Sequence, residues 1–115
     1  MIDANSSVVA GEQLTVEQAN AMLDHYIAML EKQGYEPTAY TDTNGRIGGN
    51  IYRGAKYDAL NQAYWMCIEA RKLIRQGRWS KALRWIGFVQ GLVWMGGLCS
   101  IAEIKTHNRL VPNPK

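Results

Sequence analysis

The chain has 115 residues, 47% hydrophobic and 20% charged, proportions that fit one globular domain with a modest core and exclude a disordered chain. A formal charge of +3 is too small to argue for nucleic acid by itself. Cys67 and Cys99 stand in apolar helical patterns without C-x-x-C or His-rich spacing, so they read as buried, reduced thiols of a cytosolic protein.

Residues 1 to 13 show no periodicity and read as a flexible arm. The opening Met-Ile-Asp-Ala-Asn-Ser-Ser is acidic and is followed by no apolar segment of signal length, which predicts a cytoplasmic location. Thr15 with Gln18 three residues on is a capping-box pattern. Val16, Ala19, Met22, Leu23, Tyr26, Ile27 and Leu30 then recur at spacings of three and four, and Gly34 is a natural stop. A first helix over about 16–33 follows.

Residues 34–54 form a long connection, and loops of this length in compact domains are mostly functional or disordered. Asn44-Gly45 suits a type I′ turn, which allows a small hairpin between Ala39–Thr41 and Arg46–Ile47; the very short flanks argue against it. Tyr40, Ile47, Ile51 and Tyr52 are enough apolar anchors to expect an ordered loop. A second helix is predicted over about 55–76, ended by Gly77 with Lys72 and Arg75 in its last turns. A short link leads to a third helix over about 80–97, capped by Ser80 and stopped by Gly96-Gly97; short links make antiparallel neighbours. Ser100 with Glu103 caps a short last helix over about 101–109, and residues 111–115 are a tail. The expected fold is therefore all-α: a single helical domain over 14–110, built on an antiparallel hairpin, with an N-terminal helix packed across it.

The third helix is apolar almost all round, from Leu83 through Met95. Ala82–Cys99 approaches the length of a membrane span, but it contains Arg84, Gln90 and several glycines and reads as a buried helix. A domain this small cannot cover such a helix from within. A homo-oligomer joined through 80–97 is expected, with Gly87 and Gly91 on one face allowing close backbone approach. Four tryptophans and six tyrosines fit the same expectation, because aromatics in excess collect at interfaces.

The sequence gives little support to catalysis. His25 and His107 have no nucleophile or ligand at motif spacing and read as surface or packing residues. G-x₄-G-K-[ST] and G-x-G-x-x-G are both absent, the carboxylates are scattered, and no metal-ligand cluster is visible. No catalytic residue, cofactor or metal is expected, and the chain does not read as an enzyme.

The stretch from Asn44 to Lys56 is the best candidate for binding. The amides of Gly48, Gly49 and Asn50 can form an anion-receiving nest, Arg46 and Arg53 can give bidentate phosphate contacts, and Lys56 adds charge. The N-terminus of the second helix follows immediately. Tyr57 and Trp65 can stack on a base and Asn61 can read its edge. The plainer reading is that the glycines permit a tight loop and the arginines are solvated. A second basic run, Arg71, Lys72, Arg75, Arg78, Lys81 and Arg84, has no acid between its members. It is either a nucleic-acid footprint or a solvated face complementing a helix C-terminus. Trp79 beside it either stacks or packs.

The runs Arg-Ile-Gly-Gly-Asn-Ile-Tyr-Arg-Gly-Ala-Lys-Tyr-Asp-Ala-Leu-Asn (46–61) and Lys-Ala-Leu-Arg-Trp-Ile-Gly-Phe-Val-Gln-Gly-Leu-Val-Trp (81–94), with the closing Ile-Lys-Thr-His-Asn-Arg (104–109), resemble small accessory proteins encoded by bacteriophages and prophages. The resemblance covers roughly residues 40–109 and leaves the first helix outside. It implies a protein made during infection and working in the host cytoplasm, and it carries over no catalytic residues. By analogy of size, helicity and pocket chemistry, the expected function is that of a sponge, which sequesters a cyclic or phosphorylated nucleotide signal of host defence. The alternatives are a protein–protein interaction module inhibiting a host enzyme, and a nucleic-acid binder using Arg71–Arg84.

Overall fold

A computed structural model describes residues 14–39 and 55–109. Four helices lie among them, and no strand: α1 (Val16–Lys32), α2 (Ala55–Arg75), α3 (Trp79–Met95) and α4 (Ile101–His107). The all-α class and the helix order expected from the sequence are what the structure has. The arm (1–13), the possible hairpin, most of the 34–54 connection and the 111–115 tail lie outside the described residues.

Local chemistry sets most helix ends. At α1 the Gln18 amide donates to Thr15 Oγ1 at 3.0 Å while the Thr15 amide donates to Gln18 Oε1 at 2.9 Å. At α4 the Glu103 amide donates to Ser100 Oγ at 3.0 Å and the Ser100 amide to Glu103 Oε1 at 2.8 Å. Each box satisfies two amide donors that a helix N-terminus otherwise leaves unpaired. The first three helices stop in the same way, at Gly34, Gly77 and Gly97, all with positive φ. After α2 the Gly77 amide donates to the Ile74 carbonyl at 3.0 Å and the Arg78 amide to the Leu73 carbonyl at 2.9 Å, the paired closure of a Schellman turn. The φ of 77° at Gly77 favours a residue without Cβ.

That turn corrects one expectation. Ser80 does not cap α3; the helix starts at Trp79, its N-cap is Arg78, and no side chain bonds the cap. The closure at Gly77 delivers the chain into α3 within two residues, so the capping position falls before Ser80.

Helices α2 and α3 form the hairpin, and α1 lies mainly on α2. The core is drawn from Met22, Leu23, Tyr26 and Leu30 of α1, Leu60, Ala63, Met66, Cys67 and Ala70 of α2, and Ile86, Val89 and Val93 of α3. These are the stripes that the three- and four-residue spacings pick out. Both thiols are free and buried; burial pushes the Cys67 thiol up to about 12, so it is protonated and inert at neutral pH. Among the described residues no helix is long and apolar enough to cross a membrane.

The end of α3 rests directly on α2. A Cβ on Gly96 would stand 2.7 Å from Leu60 Cδ1 and 3.0 Å from its Cγ, and Leu60 is fully enclosed in the core. Gly96→Ala is expected to destabilise the fold by about 1–3 kcal/mol, as overpacking does, read as a lower denaturant midpoint. An unchanged midpoint would show that Leu60 has room to move.

Candidate functional site

Of the nine residues singled out for binding, Arg46, Gly48, Gly49, Asn50 and Arg53 lie outside the described residues. Lys56 stands in the first turn of α2. Tyr57, Asn61 and Trp65 follow at intervals of four, and since four residues turn a helix by about 400°, this row drifts round α2 instead of forming one wall.

The three side chains occupy different surroundings. The Tyr57 ring is half exposed and leans on Tyr35, ring centroids 5.5 Å apart. Asn61 is only 5% exposed. Its Oδ1 accepts the Glu36 amide at 2.9 Å, and its backbone carbonyl accepts the Thr38 amide at 3.2 Å. Asn61 is therefore a clamp holding the segment after α1 against α2, with its carbonyl oxygen engaged within the chain. Trp65, about 12 Å along the axis from Tyr57, is partly buried against Trp85, ring centroids 5.8 Å apart. Tyr57 and Asn61 thus meet the same segment, Tyr35–Thr38, whereas Trp65 belongs to the α2/α3 seam.

Electrostatics at this end of α2 are mixed. The positive helix terminus carries Lys56 and also Asp58 in its first turn, and an acid there already complements the dipole. The second basic run is partly engaged. Arg71 pairs with Asp24 at 3.1 Å, Lys72 with Glu69 at 2.9 Å, and Lys81 Nζ sits 5.6 Å from the centroid of the Trp85 ring. Arg75, Arg78 and Arg84 are exposed and form no ion pair among the described residues. Trp79 packs partly buried against the core.

A second polar cluster was not visible from sequence spacing. Tyr26 is fully buried, and its hydroxyl lies 2.8 Å from His107 Nδ1. Gln90 Nε2 donates to Asn108 Oδ1 at 2.7 Å and also stands 3.3 Å from the Tyr26 hydroxyl and 3.1 Å from Met22 Sδ. The His25 and His107 rings are 4.7 Å apart. Burial raises the Tyr26 pKa well above that of an ordinary phenol, so the hydroxyl stays protonated. Burial, then the neighbouring His25, lower the His107 pKa, and Glu103 opposes them. The one sequence signal was Tyr26 itself: a tyrosine in an apolar stripe needs a partner for its hydroxyl. Among the described residues no group of three or more His, Cys, Asp or Glu side chains could hold a metal ion.

No protein-family model matches the chain, and neither curated proteins nor solved structures give a match.

The clamp at Asn61 has a measurable consequence. Asn61→Ala leaves the Glu36 amide without its acceptor and is expected to lower stability by about 1 kcal/mol, with faster hydrogen exchange at the Glu36 amide. Unaltered exchange at Glu36 would contradict the assignment.

Proposed function

We propose that this is a non-enzymatic, phage-encoded protein that binds and sequesters a cyclic or phosphorylated nucleotide signal, blunting host antiphage defence from the host cytoplasm. The observation that supports this most is the half-exposed Tyr57 ring, braced by Tyr35, at the point where the Gly- and Arg-rich stretch joins α2. A rigid aromatic face beside a cationic segment suits a base carrying phosphate. On this reading Arg46, Arg53 and Lys56 neutralise phosphate, Gly48, Gly49 and Asn50 donate amides, and Tyr57 stacks. Asn61 holds Tyr35–Thr38 beside that ring, and Trp65 supports the helix from the α3 side.

A panel of cyclic dinucleotides, cyclic oligonucleotides and ADP-ribose-derived signals tests the reading by thermal shift. One compound is expected to stabilise the protein by about 2.7 kcal/mol at a hundredfold excess over Kd and to be recovered unaltered. The Arg46→Ala/Arg53→Ala double variant is expected to lose that shift while keeping its fold. A flat panel, or a shift that survives in the double variant, would contradict it.

The partner in solution is, on the same account, a second copy of the chain. Ser80, Arg84, Gly87, Phe88, Gly91, Trp94 and Met95 are all exposed along one stripe of α3, with Phe88 at 56%, Trp94 at 50% and Met95 at 77%. A Cβ at Gly87 or Gly91 would meet nothing. The stripe complements itself: a two-fold antiparallel crossing sets Phe88 over Gly91 of the second copy and brings Arg84 beside its Trp94. The wild-type chain is expected to sediment as a dimer or larger, and Phe88→Glu as a monomer. A monomeric wild type at about 100 μM, where even a weak interface associates, would contradict this.

A further inference from the structure

Helix α4 is held to the body by unusually little apolar area. None of its residues is buried; Ile104 packs partly against the core. Its polar attachments are specific. His107 reaches the buried Tyr26 hydroxyl of α1, and Asn108, just past the helix, accepts from Gln90 of α3. We propose that this cluster is an acid-sensitive latch: with His107 neutral the Tyr26–His107 bond docks α4, and protonation of His107 releases it.

Gln90 has two amide protons; one goes to Asn108 Oδ1, and the other faces the Tyr26 oxygen and Met22 Sδ. With the Tyr26 oxygen accepting from Gln90, the hydroxyl proton is left to donate to Nδ1 of a neutral His107. A protonated imidazole carries a hydrogen on both nitrogens, so two donors then face each other across 2.8 Å. The hydroxyl can turn away, but Tyr26 is fully buried, and among the described residues its hydroxyl meets only His107 and the donor Gln90. A buried donor without an acceptor is costly.

The groups facing His107 set the sign. From α1 these are His25 and Tyr26, and from α4 itself Glu103; α3 contributes the neutral Gln90 to the cluster, through Tyr26 and Asn108. His25 is exposed and its ring is 4.7 Å from that of His107, where it disfavours a charge on His107. Glu103 favours the charged form, but it is occupied in the Ser100 capping box. Burial and His25 outweigh it, and the His107 pKa is lowered in the docked state. A docked state with the lower imidazole pKa binds fewer protons than the released one. Docking is thus at full strength above the ordinary imidazole range, near 6.5, and weakens as pH falls through and below it.

Hydrogen exchange on the full chain, corrected for intrinsic rates, tests this between about pH 7.5 and about pH 5.5. Protection of the Ile104 and Asn108 amides is expected to fall relative to that of core amides such as Met66 and Val89 as the pH is lowered. The proton–proton contact between the Tyr26 and His107 rings is expected to vanish with it in NMR spectra. His107→Gln, which cannot titrate, is expected to flatten the dependence, and His25→Gln to reduce it. Constant protection in the wild type while the His107 imidazole titrates would overturn the latch. So would a pH-dependent loss that persists in His107→Gln.

Discussion

The structure depends first on the closure at Gly77. Two backbone hydrogen bonds, from Gly77 to Ile74 and from Arg78 to Leu73, turn the chain from α2 into α3 within three residues. That turn fixes the two helices as antiparallel neighbours and decides which stripes face inward. Ala63, Met66, Cys67 and Ala70 of one helix and Ile86, Val89 and Val93 of the other then build a common core, to which α1 adds Met22, Leu23, Tyr26 and Leu30. Small residues at Ala63, Ala70 and Gly96 let the helices approach, most tightly where Gly96 lies against Leu60.

Two consequences follow from a scaffold this small. One is that α3 has more apolar surface than the described residues cover: Phe88, Trp94 and Met95 stay exposed, while the opposite face is fully buried. The other is that polar groups must act as fasteners where apolar area is short. Asn61 ties the segment after α1 to α2, and the Tyr26, Gln90, His107 and Asn108 cluster ties α4 to α1 and α3. Both fasteners join parts of the chain that the apolar stripes alone would leave loosely held.

The helices were legible in the sequence because their signals are local. Thr15 with Gln18, Ser100 with Glu103, and glycines at 34, 77 and 97 act within a few residues of the ends they define, and the stripes between them repeat with the helical period. Ser80 misled because the turn before it, not its own side chain, sets where α3 begins. The site was less legible, because its contacts are non-local. Asn61 has the residue type to read a base edge, but its oxygen serves the Glu36 amide 25 residues away. His25 and His107 looked isolated along the chain, yet one packing contact joins them and brings Tyr26, 81 residues from His107, into the same cluster. Charge patterning had the same limit. Arg71 belongs to an uninterrupted basic run in the sequence but stands beside Asp24 of α1 in space.

The ligand capture proposed above centres on the junction of the Gly- and Arg-rich stretch with α2, next to the Tyr35–Tyr57 pair. The most direct measurement is amide chemical-shift mapping of the isotopically labelled chain during titration with a bound nucleotide. Perturbations are expected to concentrate at Tyr35 to Thr38, at Lys56 to Asn61 and in the stretch that precedes Lys56. Perturbations centred instead on the α2/α3 turn around Arg75 and Arg78, or on His25 and His107, would contradict it and move the site to the other end of the hairpin or to the α4 latch.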